Sequence, residues 1–384
     1  MRLLVRTFAL LAALVAALPA VAADSLVYFG TYTGPKSQGI YVSRFDAATG
    51  RLSTPELAVA TPNPSFLVSH PNGRRLYAVN ELDEFRGEKA GSASAFAIDA
   101  TTGRLSLLGD ASTKGTGPCH LSLDKTARHL FVANYGGGSV AVLPVREEGG
   151  LGPASSFVQH TGRGPKDNQE APHAHAIAVD PANRFALVAD LGLDKLLVYA
   201  FDAAAGTLGV APATFAALKP GSGPRHFAFH PNGRFVFEVN EITLTLGSFR
   251  YDPASGSLTE IQTVSTLPDG VAVTPEMSGA EIEIHPSGRF VYASNRGHDS
   301  IAVFAVDGDK GTLRKVEVVL AGGKTPRGFT LDPTGAFLLA ANQGSDTVVV
   351  FRIDPATGRL TRTAHSVTVG TPVSVAFAPA PSAR

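Results

Sequence analysis

Arg225 and Glu241 stand 16 residues apart in GPRHFAFHPNGRFVFEVNE, with Gly233 midway. An antiparallel hairpin over this segment returns the chain to where it began, so the guanidinium and the carboxylate are predicted to lie side by side. Similar hairpin turns recur at Pro71, Lys125, Pro181, Pro231, Pro286, Pro333 and Pro379. Six residues before these positions lie Ser65, Cys119, His175, Arg225, Ala280, Arg327 and Val373. Ten residues after them lie Glu81, Tyr135, Leu191, Glu241, Arg296 and Gln343, with Tyr32 as the counterpart at the N-terminus. If the units are related by symmetry, all these positions ring one mouth. A set with three Arg, one His and two Glu can take up a proton, polarise a carbonyl and hold an anion.

Other polar positions weigh less. His173 shares a strand side with His175, and such a pair can bind metal, but no third ligand stands at diagnostic spacing, so no metal site is assigned. Asn80, Asn134, Asp190, Asn240, Asn295 and Asn342 fall in register one residue before the mouth positions. Side chains of this type bond to nearby backbone and suit the end of a strand, which makes them structural. His120 and His226, one residue later than Cys119 and Arg225, are expected to point between units as structural residues.

The elements that must carry these residues are read from a repeat. DAATGRL, DATTGRL, EEGGL, DAAAGTL, DPASGSL, DGDKGTL and DPATGRL end at Leu52, Leu105, Leu151, Leu208, Leu258, Leu313 and Leu360, spaced by 46 to 57 residues. That period fits four short strands and their loops. Runs such as SVAVLPV, SIAVFAV and TVVVFRI are short, apolar and bounded by Gly or Asp, as strands buried on both faces are. Helical periodicity is absent after the N-terminal segment. The pattern predicts an all-β fold, a seven-bladed β-propeller of four-stranded antiparallel blades. LVYFGT near the start matches the second strand of the repeat and TPVSVAFAP at the end matches the first, so the C-terminal strand is expected to close the ring by joining the N-terminal blade.

The 384 residues carry 33 basic and 33 acidic side chains, which gives no electrostatic reason to bind nucleic acid. The lone Cys119 excludes an intramolecular disulfide framework. Residues 1–22 read as a signal peptide: Arg2 and Arg6, an apolar run from Phe8 to Leu18, then Ala20-Val21-Ala22. Residues 23–384 read as a single propeller domain, exported to the periplasm or secreted and not membrane-bound after cleavage. No cofactor is expected.

The segments EAPHAHAIAVD, ADLGLDKLLVY, GSGPRHFAFHPNGRFVFEVNE, SNRGHDSIAVF and TPRGFTLDPTGAFLLAANQ resemble bacterial lactonases of the 6-phosphogluconolactonase propeller type, related to fungal carboxy-cis,cis-muconate cyclising enzymes. The resemblance implies His175, Arg225, Glu241 and Arg296 as active-site residues and Arg327 as a further candidate. His173, Gln343, Glu81 and Tyr135 are added as substrate-binding positions. The implied reaction is hydrolysis of an aldonolactone, with or without a phosphate, with either Glu241 or His175 as the base. No Gly-x-Ser-x-Gly motif is present, which favours direct attack by water over an acyl-serine pathway. The partner is then a small sugar lactone or related carboxylate. Two alternatives stand beside this: a non-catalytic exported propeller similar to YVTN repeats that acts as a binding module, and a muconate-type cycloisomerase.

Overall fold

The computed structural model describes residues 25–379, and the segment read as a signal peptide lies outside them. Six four-stranded antiparallel sheets and one sheet with a divided outer strand are arranged as the seven blades of a propeller. The innermost strands are Phe66–Ser69, Pro118–Leu123, Ala174–Val179, Pro224–Phe229, Ser278–Ile284, Pro326–Leu331 and Pro372–Ala378. Among the described residues the helical elements are three single 3-10 turns of three residues each.

Pro372–Ala378 forms the innermost strand of the blade whose other strands come from the N-terminal part of the chain. It pairs with Ser25–Thr31, from Leu26 opposite Ala378 to Thr31 opposite Pro372. The divided outer strand of that blade consists of Arg51–Leu52 and Glu56–Ala60, both against Gly39–Asp46. The expected closure is therefore present, with its register.

The cores are the blade junctions. Seven clusters of buried apolar side chains lie one between each pair of neighbouring blades. The sequence turns serve these junctions. In DAATGRL, Asp46 accepts the backbone N–H of Ala48 and the hydroxyl of Thr49, while Gly50 takes a left-handed φ of 78°. A side chain at Gly50 would collide with the Phe337 ring of the preceding blade. Gly50 thus supplies both the conformation and the close approach.

Six of the innermost strands carry a β-bulge at the mouth. Pro118 pairs with Asn134 and His120 with Ala133, which leaves Cys119 as the extra residue. His175, Arg225 and Arg327 are extra in the same way, register also shifts between Gly279 and Ile282, and Val373 is the counterpart in the closing strand. A bulge places two residues against one and re-aims their side chains. The expectation for His120 and His226 fails for this reason. Their rings lie 5.1 Å apart although one blade separates their strands, so they face the central axis rather than a junction.

Candidate active site

The bulges bring the mouth residues together at one end of the axis. Glu241 follows the strand Phe235–Asn240, and its backbone N–H donates to Gly223 O at 2.7 Å. Its Oε2 lies 3.0 Å from Arg225 Nε and 2.8 Å from Arg296 Nη2. Arg225 Nη1 donates to Ala280 O at 2.6 Å, and Arg296 Nη2 donates to Gly279 O at 2.9 Å. The hairpin argument for Arg225 and Glu241 is borne out, and Arg296 joins them from the next blade. The Nε atoms of Arg225 and Arg296 are buried and have no hydrogen-bond partner, so the short Arg225 contact is an ion pair whose N–H is not aligned on the carboxylate.

Burial raises the carboxyl of Glu241, but Arg296, Arg225 and Arg327 outweigh burial and hold it below the usual carboxylate range. Arg225 is 3% exposed. Burial, with Arg296 and Arg327 nearby, lowers its guanidinium to about 10, which leaves it charged at neutral pH.

A second group continues around the ring. Arg327 Nη2 donates to Tyr32 Oη at 2.9 Å, with the guanidinium 5.3 Å from the centre of the Tyr32 ring. The Tyr32 hydroxyl lies 2.9 and 3.0 Å from the two carboxylate oxygens of Glu81. A cavity of about 10 Å³, room for roughly one water molecule, is lined by Ser65, Glu81, Cys119, Arg225 and Arg327 among others. The three guanidiniums exceed the two carboxylates, Glu241 and Glu81, by one charge.

The histidines form the third group. His175 Nδ1 is 3.7 Å from Cys119 Sγ, and the Tyr135 ring meets the His175 ring edge-on with centres 5.5 Å apart. Burial, followed by Arg225, His226 and Arg327, drives His175 well below its ordinary value, so it is neutral. His173 stacks on Tyr135 with ring centres 4.5 Å apart, and its Nδ1 lies 3.0 Å from Tyr135 O. Burial pushes the Tyr135 hydroxyl up to about 12. Gln343 opens a 3-10 turn, and among the described residues its side chain has no hydrogen bond to these groups. Tyr32, which the sequence placed at the mouth without a role, is the bridge between Arg327 and Glu81.

The Asx register is structural as read. Asn295 Nδ2 donates to Thr266 O and Ser300 Oγ at 3.1 Å, Asn134 makes the same pattern with Thr113 O and Ser139 Oγ, and Asp190 accepts backbone N–H groups of His173 and Leu193. Among the described residues no group of three or more His, Cys, Asp or Glu side chains is arranged to hold a metal ion.

Residues 26–377 match the family described as lactonase, 7-bladed beta-propeller. A 6-phosphogluconolactonase of Bacillus subtilis is 39% identical over 350 residues, 91% of this chain and 97% of that protein. A 6-phosphogluconolactonase of Formosa agariphila is 33% identical, over 80% of this chain and 86% of that one. The solved structure of a periplasmic gluconolactonase from Pseudomonas aeruginosa is 36% identical with a TM-score of 0.87, covering 94% of this chain and all of that one. With a family match across almost all the described residues and a relative 39% identical along nearly its whole length, the chain belongs to the lactonase family of seven-bladed β-propellers.

Proposed function

We propose that the protein hydrolyses an unphosphorylated aldonolactone at the axial mouth, in the periplasm, by direct attack of water. The observation that carries this reading is the Glu241 carboxylate held between Arg225 and Arg296, whose buried Nε atoms lack partners. Water adds to the lactone carbonyl carbon and gives its proton to Glu241. The carbonyl oxygen becomes an oxyanion facing the guanidiniums, which need no reorganisation to stabilise it. The ring C–O bond then breaks, the proton passes from Glu241 to the ring oxygen, and the aldonic acid product loses a proton to solvent.

Glu241 is favoured over His175 as the base. Its side chain is 20% exposed at the mouth and touches both cations, whereas His175 is enclosed against Cys119 and Tyr135. A carboxylate with a lowered pKa is a weak base, so most of the rate gain is assigned to the guanidiniums. Arg327, with Tyr32 and Glu81, is assigned to the sugar hydroxyls, and His173 and Tyr135 to the opposite wall.

The missing phosphate is inferred from export. The N-terminal segment has the pattern of a signal peptide, and the Pseudomonas aeruginosa relative is named as a periplasmic gluconolactonase. The test is an assay of the mature protein on gluconolactone and on its 6-phospho form, with and without a chelator, beside a muconate. Chelator-insensitive hydrolysis with preference for the neutral lactone is expected. Turnover of the muconate alone would make the protein a cycloisomerase, and no turnover of either class would leave a binding module.

A further inference from the structure

Behind Arg225, on the side away from the mouth, stands a buried pair that the reaction above does not use. His226 Nδ1 lies 2.7 Å from Glu281 Oε1, and His226 Nε2 lies 3.4 Å from Arg225 Nη1. Glu281 Oε1 also accepts the Ile282 N–H at 3.0 Å, and the Glu281 N–H donates to Ser294 Oγ at 3.0 Å. The neighbouring Ala280 carbonyl accepts the same Arg225 Nη1. One bulge therefore delivers two holds on one guanidinium, the Ala280 oxygen directly and the Glu281 carboxylate through an imidazole. His226 and Glu281 also line an axial cavity of about 390 Å³ beyond the mouth, a route for protons to reach the pair.

We propose that Glu281 is a positioning residue for the lactonase reaction: its carboxylate fixes the His226 tautomer with the proton on Nδ1, so that the Nε2 lone pair faces Arg225 and holds that guanidinium against Ala280 O. The inference rests on the lactonase reading for its kinetic consequences but not for the tautomer. An ionised carboxylate can only accept, so it selects the Nδ1–H form, and the ring then presents an acceptor to a cation that must donate. Without the carboxylate the other tautomer aims an N–H at Arg225. Repulsion from Arg296 and Arg327, which lowers Arg225, then acts on a guanidinium with one fewer hold.

The same geometry makes the hold dependent on pH. Burial, opposed by Arg225 and the Ile282 N–H, places the Glu281 carboxyl at about 7. The titratable and charged groups facing the pair are Arg225 on the strand of His226, His120 and His175 from the two preceding blades, Arg327 from the following blade and Glu283 on the strand of Glu281. Glu241 and Arg296 act on it from the mouth. The three imidazoles are all held well below their ordinary value, chiefly by burial, and the Glu283 carboxyl is raised by burial to about 8. Between pH 6 and 7.5, Glu281 is thus the member of the group whose charge change meets Arg225, through His226. A raised carboxyl loses its charge as pH falls through about 7, so turnover should rise with pH across that value.

The experiment combines kinetics with nitrogen NMR on the full mature chain. In the wild type, nitrogen shifts at pH 8 should show His226 protonated on Nδ1, and kcat on gluconolactone should rise through an inflection near pH 7. Glu281→Gln should remove the inflection and lower kcat about 10-fold or more with KM changed less than 3-fold, and Glu281→Asp should restore part of both. A purely structural role would lower the melting temperature and leave the pH profile in place. The proposal is overturned if His226 carries its proton on Nε2 in the wild type, or if Glu281→Gln folds and keeps the wild-type kcat and inflection. A wild type that opens no lactone would remove the proposed reaction, while the His226 tautomer would still decide the role of Glu281.

Discussion

At the mouth, a carboxylate between two guanidiniums has a predictable response to the loss of either. Arg296 is the largest of the cations holding Glu241 below the ordinary range, against the upward push of burial. Arg296→Ala removes that contribution, so the Glu241 carboxyl rises and stays protonated to higher pH. The lower acid limb of the rate profile, below the inflection assigned to Glu281, should therefore move upward, measured as kcat/KM from pH 4 upward; an unmoved limb would mean that Glu241 is not the group that must be ionised. Arg327→Ala makes a contrasting case, because Arg327 donates its hydrogen bond to Tyr32 and acts on Glu241 only as the third of its nearby cations. It should raise KM for the lactone with a smaller change in kcat, and an equal fall of kcat with unchanged KM would place Arg327 on the reacting carbonyl instead.

The strands explain why part of this site was legible before the structure and part was not. Arg225 and Glu241 could be paired from their spacing because a hairpin with a Gly midway has one way to return. The cross-blade partner of Glu241, Arg296, was expected to approach it at the mouth, but as a binder of the substrate anion and not as an ion-pair partner of the carboxylate, since the repeat gives angular order and not side-chain direction. The bulges left no mark: the extra residues are Cys119, His175, Arg225 and Arg327, which share no size, charge or glycine, so His120 and His226 were turned the wrong way by a simple alternation. Glu238 is an ionisable side chain in a strand that is buried along its whole length. It lies on the second strand of its blade, Phe235–Asn240, opposite Gly247, is 0% exposed, and neither carboxyl oxygen has a partner. Burial raises it well above the ordinary value, so the folded protein keeps a proton that the unfolded chain gives up. Stability then falls as pH climbs above the ordinary carboxylate value, by about 1.4 kcal/mol per unit until the raised value is reached. Glu238→Leu should raise the melting temperature, and by more at pH 8 than at pH 5; a larger gain at pH 5 would contradict the protonated, unpartnered state.

The ring as a whole depends on one strand contributed from the far end of the chain. Seven apolar junctions share the load, and two of them, on either side of the closing blade, include Val375 and Ala376 of Pro372–Ala378. Ending the chain at Thr371 exposes the Ser25–Thr31 edge and opens both junctions. The truncated protein should lose its single sharp thermal transition and become sensitive to protease, and an unchanged transition would show that closure is not needed. This closure was legible from two end segments matching different strands of one repeat. The ring is what gathers Glu241, Arg225 and Arg296 from two adjacent blades, and the reaction assigned to them is tested most directly by Glu241→Gln on gluconolactone. The amide keeps the shape and cannot take the proton, so kcat should fall about 100-fold or more while the lactone still binds with near wild-type affinity. A variant that binds and turns over gluconolactone at the wild-type rate would contradict the assignment of Glu241 as the base that activates water.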